Sequence, residues 1–145
     1  MIPRAVIDTN VLVSARLGSG PSNSVVRACL QGRVQPVIGA ALLAEYEGLF
    51  GRIAWAEASP LSPDERSELL DILLARCTWT RVYYGWRPNL PDEGDNHLIE
   101  LAVAASADFV VTRNLRDLSR GELRFPNLTV CDPVTFLQEI ESWPH

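Results

Sequence analysis

The sequence has no lysine: all 13 of its basic side chains are arginine. Without an amine the chain cannot carry out P-loop phosphate binding, Schiff-base chemistry or the lysine-dependent switching of a phospho-acceptor receiver domain. Cysteine is scarce, and Cys29, Cys77 and Cys131 stand far apart with no CxxC pair, so neither a disulfide framework nor a thiolate zinc site is readable. Reduced, packed thiols are expected. No run of about 18 uncharged apolar residues occurs, and the start of the chain soon reaches Arg4 and Asp8. No membrane contact and a cytoplasmic location are therefore expected. An excess of positive charge is also missing: the formal net charge is -5, so nucleic-acid binding would have to rest on a local arginine cluster or on bound cations.

What is present is the composition of a folded chain, with 47% hydrophobic and 21% charged residues spread over 145 positions. That length suits one domain, spanning 1–145, able to bury roughly 70% of the surface of its unfolded chain. Short β-branched runs alternate with helix-period stretches. Strands are expected at Ala5 to Asp8, Val34 to Ile38, Arg81 to Tyr84, Phe109 to Thr112 and Leu128 to Cys131. Helices are expected at Pro21 to Gln31, Ala40 to Phe50, Ser62 to Arg76, Asp95 to Ser106 and Pro133 to Glu141, several opening on signals such as Ser22, Ser62-Pro63 and Asp132-Pro133. The stretches Trp55 to Leu61 and Gly85 to Pro91 read as loops. The alternation is that of an α/β fold with parallel strands and crossover helices.

In such a sheet, ligands bind beyond the carboxyl ends of the strands, where strand order reverses. Asp8 ends the first strand and opens a turn into a helix start, and Thr112-Arg113-Asn114 ends the fourth. Glu45, in the helix after the second strand, and the cluster Asp92-Glu93-Asp95 lie near the same edge. Helix capping by Asp8 or Asn10, worth about 1 kcal/mol, is the alternative for the first group. Capping also accounts for part of the second, but three acids within four positions exceed what a cap requires. Two carboxylates about 4 Å apart repel by about 4 kcal/mol at an effective dielectric of about 20. Converging acids thus call for a cation, and hard oxygen ligands suit Mg²⁺ or Mn²⁺. The chemistry implied is phosphodiester hydrolysis, one ion activating water and another stabilising the leaving oxygen. It needs no histidine base, in a chain whose only histidines are His97 and His145.

Asp8-Thr9-Asn10, the helix Leu42-Leu43-Ala44-Glu45-Tyr46, Asp95 opening a Leu-x-Glu-Leu-Ala helix, and Val111-Thr112-Arg113-Asn114-Leu115-Arg116-Asp117 together resemble the successive motifs of the PIN-domain family, in order and with similar spacing. The resemblance spans nearly the whole chain and is strongest to small VapC-like toxins of toxin-antitoxin pairs. It implies a three-layer α/β/α sandwich with a mainly parallel sheet of about five strands. It also implies a Mg²⁺- or Mn²⁺-dependent endoribonuclease acting on RNA, checked by a cognate antitoxin protein and forming a homodimer. By position, Asp8, Glu45 and Asp95 match the acidic metal-site residues, Asp92 is a further metal candidate, and Asp117 is a catalytic candidate. Thr9, Asn10, Thr112 and Asn114 are supporting residues. Many members of the family have an acid where this chain has Asn114, which leaves open a catalytically silent RNA- or protein-binding module.

Arg113, Arg116, Arg120 and Arg124 concentrate charge beside the expected cleft, and Arg113 and Arg116 are the RNA-phosphate candidates. A solvated face paired with Asp117 and Glu122 is the alternative. Trp55, Trp86, Tyr83 and Tyr84 are candidates for base stacking, with core or interface packing as the alternative. For His97 a surface or packing role is expected rather than metal ligation. A receiver domain is excluded by the missing lysine, and a haloacid-dehalogenase-type phosphatase by Asn10 where a second Asp is needed.

Overall fold

The computed structural model describes residues 2–15, 20–50, 62–82, 96–115 and 127–144. In chain order these form β1 (Arg4–Ile7), α1 (Thr9–Ala15), α2 (Pro21–Leu30), β2 (Gln35–Ile38), α3 (Ala40–Phe50), α4 (Pro63–Arg76), β3 (Thr78–Trp79), α5 (Asn96–Ala104), β4 (Phe109–Val111), β5 (Thr129–Cys131) and α6 (Pro133–Glu141). The five strands make one sheet in the order β3-β2-β1-β4-β5, with every pairing parallel. This is the expected three-layer α/β/α architecture. Strand order reverses between β1 and β4, so the switch point lies where Asp8 and Thr112 leave the sheet.

After Arg4, β1 is apolar to its end, and β4 is apolar throughout, because helices cover both faces of a parallel sheet. Ala5, Val6, Ile7, Phe109, Val110 and Val111 are all buried. α5 packs on β1, β2 and β4, while α2 packs against α1 and α6. Phe136 of α6 is fully buried and meets Phe109 edge-on at 5.1 Å between ring centroids, with Trp143 at 5.4 Å from the same ring. That geometry adds to burial by setting the positive ring edge against a π face.

Local signals account for several helix ends. Ser62 and Glu65 form a reciprocal capping box before Pro63, and Asp132 Oδ1 accepts from the Thr135 amide at 2.8 Å before Pro133. Ser22 is a first-turn residue of α2 and not its cap. It lies inside α2 and is buried, and the N-cap is Gly20 at φ +91°, a backbone conformation that favours glycine. The helix start expected after Asp8 is α1.

The third strand also departs from expectation. It forms at Thr78–Trp79, not at Arg81 to Tyr84; Arg81 and Val82 lie beyond it, and Tyr83 and Tyr84 lie outside the described residues. The cause is a tertiary contact. Gln35 Nε2 donates to the Arg76 carbonyl at 2.7 Å, tying the end of α4 to the start of β2, so the chain enters the sheet at once with Thr78 opposite Val37. Pro36 is tolerated within β2 because the neighbouring Gln35 amide bonds towards β1, at the Pro3 carbonyl. By alternation the proline nitrogen faces the other side, where β3 begins only opposite Val37. At the far end of β2 the chain packs closely: a Cβ on Gly39 would stand 3.0 Å from the Thr80 carbonyl oxygen and 3.1 Å from Leu101 Cδ1.

Candidate active site

The Asp8 amide extends the β1–β4 ladder by donating to the Val111 carbonyl at 2.9 Å, and its own carbonyl accepts from Val11 as α1 begins. Its carboxylate does not cap that helix. Asp8 is only 7% exposed, and Oδ2 accepts a 2.7 Å hydrogen bond from the hydroxyl of Thr112, which is fully buried at the end of β4. The Thr112 oxygen also accepts from the Asn114 amide at 2.9 Å and from Asn10 Nδ2 at 3.3 Å. A hydroxyl has one proton and two lone pairs. With both lone pairs taken by N–H donors, the Thr112 proton is directed at Asp8. Asn10 completes the frame, since its Oδ1 accepts from the Arg113 amide at 3.0 Å. Asn10 therefore staples the end of β4 to the start of α1 and is not a cap either.

Glu45 comes from α3, and the neighbouring Tyr46 seats that helix. The Tyr46 hydroxyl donates to the carbonyl of Ile7, the last residue of β1, from a fully buried position. Burial pushes the phenol well above its ordinary value of 10.0, with the thiols of Cys77 and Cys29 and the carboxylates of Asp8 and Glu45 acting in the same sense. Tyr46 is thus a neutral donor. Glu45, 43% exposed, takes a 3.0 Å contact from His97 Nε2 and a long 3.4 Å bond from the Thr9 hydroxyl, both on Oε2.

Sequence reasoning did not foresee the contact that His97 makes. It sits on α5, largely buried, with Nε2 3.0 Å from Glu45 Oε2, in addition to the surface or packing role expected of it. Its place two positions after Asp95, in the helix expected over Asp95 to Ser106, was the only available signal, and helix spacing alone could not show that α5 lies beside α3.

The fold thus brings Asp8, Asn10, Thr112 and Asn114 into one network, with Thr9, Glu45 and His97 in a second group beside it. Arg113 is exposed next to the network. Asp92, Asp95, Arg116, Asp117, Arg120 and Arg124 lie outside the described residues, as do Trp55, Trp86 and the two loops expected at Trp55 to Leu61 and Gly85 to Pro91. Among the described residues no three His, Cys, Asp or Glu side chains converge closely enough to hold a metal ion. Asp8 still has the character of a cation ligand: a nearly buried carboxylate whose side-chain partner is a neutral hydroxyl, with no basic side chain pairing with it among the described residues.

The family model of the PIN domain matches residues 4–116. The chain belongs to the PIN-domain family. The match runs from β1 past β4 and includes Asp8, Glu45, Asp95, Thr112 and Asn114, while Asp117 falls just beyond it. Among solved structures, a chain in the crystal structure of VapBC2 from Rickettsia felis, bound to a DNA fragment from their promoter, shares this PIN fold with a TM-score of 0.57. It is 18% identical, over 89% of this chain and 98% of that one. Comparison with curated protein sequences gives no match. Cys29, Cys77 and Cys131 are free thiols, as expected. Among the described residues no helix is long and apolar enough to cross a membrane.

Proposed function

We propose that this PIN domain is a Mg²⁺- or Mn²⁺-dependent endoribonuclease and the toxin of a toxin-antitoxin pair. The observation that carries the reading is Asp8 at the switch point, nearly buried and oriented by the Thr112 hydroxyl. Asp8 and Glu45 would hold the ion, with Asp92, Asp95 and Asp117 as further acids. When bound, a divalent ion supplies an activated water and charge stabilisation at the leaving oxygen. The chain's own residues prepare for that chemistry. Thr112 holds Asp8 in one orientation, Asn10 and the Asn114 amide fix Thr112, and His97 and Thr9 hold Glu45 at the rim. Arg113 and Arg116 would contact RNA phosphates, where a guanidinium fork suits the oxygen geometry.

A cognate antitoxin as partner is supported by the likeness in fold to a chain of VapBC2; a homodimer, one domain over 1–145 and a cytoplasmic location belong to the same reading. The second reading, a silent RNA- or protein-binding module, rests on Asn114, which contributes no charge and whose amide serves Thr112. One assay separates the two readings. Single-stranded RNA should be cleaved in Mg²⁺ or Mn²⁺, left intact in chelator, and left intact by Asp8→Asn. RNA bound but uncut by the parent under every metal condition would favour the silent module, and equal cleavage in chelator and Mn²⁺ would overturn metal dependence.

A further inference from the structure

Beside His97, the partner of Glu45, lies a half-open cavity of about 380 Å³ that the proposed chemistry does not use. Its walls are the β2–α3 corner from Gly39 to Leu42, the chain from Trp79 to Val82, and His97, Glu100 and Leu101 of α5. Three features give it a chemical character. Trp79 is 54% exposed on a two-residue edge strand, leaving much of its indole open to solvent rather than committed to the core. Leu42 and Leu101 are buried and apolar. On the α5 wall, Glu100 Oε1 and His97 Nδ1 are shut off from water and have no hydrogen-bond partner among the described residues. A carboxylate oxygen without a donor is costly unless something that enters the site supplies one. Glu100 is a lining residue of the cavity, and because the last torsion of a glutamate is broad, turning about it can bring the carboxylate to the cavity.

An aromatic plane, an apolar floor and a two-oxygen acceptor match a planar heterocycle with two adjacent donors. Among RNA bases only guanine has that edge, with N1–H beside the N2 amino group. Adenine and cytosine set a ring-nitrogen acceptor beside their amino group, and uracil flanks its single N–H with carbonyl oxygens, so each would turn a lone pair towards the carboxylate. Unpaired bases are read in this way, by stacking and by hydrogen bonds to the Watson–Crick edge. The volume falls in the range of small-molecule sites. His97 lines the cavity and touches Glu45 at 3.0 Å, so a base held there belongs to a nucleotide next to the acidic cleft.

We propose that this cavity is a guanine-selective base subsite of the RNA-binding cleft, with Trp79 stacking on the base and Glu100 accepting from its Watson–Crick edge. The assignment rests on the reading of the cleft as an RNA site. Binding in chelator tests it apart from catalysis, by fluorescence anisotropy of the full chain with labelled tetraribonucleotides that differ at one position among the four bases. The guanine oligonucleotide should bind about tenfold more tightly than the other three. Glu100→Gln should abolish that preference while leaving the other three affinities unchanged, because the amide nitrogen opposes the N2 amino group. Trp79→Ala, at an exposed position that does not threaten folding, should weaken all four by roughly tenfold. Circular dichroism confirms that both variants fold.

Equal affinities for the four bases, or a guanine preference that survives Glu100→Gln, would overturn the subsite. So would competition by arginine amide as effective as by GMP, which would assign the cavity to a protein side chain. A cleavage arm in Mn²⁺ keeps the two readings distinct. Guanine preference without cleavage removes the nuclease and leaves the subsite, whereas cleavage without preference does the reverse.

Discussion

Thr112 and Asp8, 104 residues apart, are joined by a 2.7 Å hydrogen bond across the β1–β4 seam, while the Thr112 oxygen accepts from Asn10 Nδ2 and the Asn114 backbone amide. Replacing Thr112 by Val keeps the shape and removes the donor, leaving a nearly buried carboxylate oxygen unsatisfied. The loss should be about 1–3 kcal/mol in urea unfolding. Thr112→Ser should retain most of the stability. Equal midpoints for Thr112→Val and the parent would show that the bond does not order Asp8.

Asp8→Asn tests the cation site without substrate. Asparagine can still accept from Thr112 but removes one negative charge from the cleft, so in chelator the variant should be at least as stable as the parent. Millimolar Mg²⁺ should raise the parent's melting temperature, since binding to the folded state alone contributes about 2.7 kcal/mol at a hundredfold excess over the dissociation constant. The variant should lose most of that response. An identical response in both would take Asp8 out of the site.

Glu45 and Glu47 share one helix but not one environment. Glu45 meets His97 and Thr9, whereas Glu47 is exposed with no such contact. Glu45→Gln should reduce RNA cleavage at least tenfold if it ligates the ion, and Glu47→Gln should leave it near the parent's rate. Comparable losses from the two would show that α3 does not present Glu45 to the cleft.

Tyr46→Phe removes the donor to the Ile7 carbonyl at the buried end of β1. Chemical denaturation should report a loss of about 1–3 kcal/mol, that of a buried carbonyl left without its partner. Because this bond seats α3, the variant should also respond less to Mg²⁺. A variant as stable as the parent would mean that packing alone positions the helix.

Alkaline pH should unfold the protein through its thiols and Tyr46. Burial raises Cys29 and Cys131 from 9.0 to about 12 and Cys77 to about 11, and Tyr46 also lies well above its ordinary value. In the unfolded chain these groups release protons first, so above about pH 9 the unfolded state binds fewer protons and stability falls as pH rises. The contribution is complete below the unfolded values and is lost progressively towards about pH 12. Urea midpoints should hold steady through neutral pH and drop above about pH 9; a midpoint unchanged there would contradict the burial of these groups.

The sequence by itself determined the features that act over a few residues. Continuous apolar runs at Ala5 to Ile7 and Phe109 to Val111 announce parallel strands buried on both faces, because only such strands need no polar side. The capping box at Ser62 and the cap at Asp132 close within three residues. The ordered motifs around Asp8, Glu45, Asp95 and Thr112 pointed to the PIN family, which the family match establishes. Tertiary structure alone decided the rest. The start of β3 depends on Gln35 reaching Arg76, 41 residues away, and the partner of Glu45 is His97, 52 residues away. Whether Asp8 caps a helix or faces Thr112 depends on β4 lying beside β1. Propensity and periodicity describe how a segment folds along itself, but which side chains meet across segments follows from strand order and helix packing, and these are settled by burying the whole core at once.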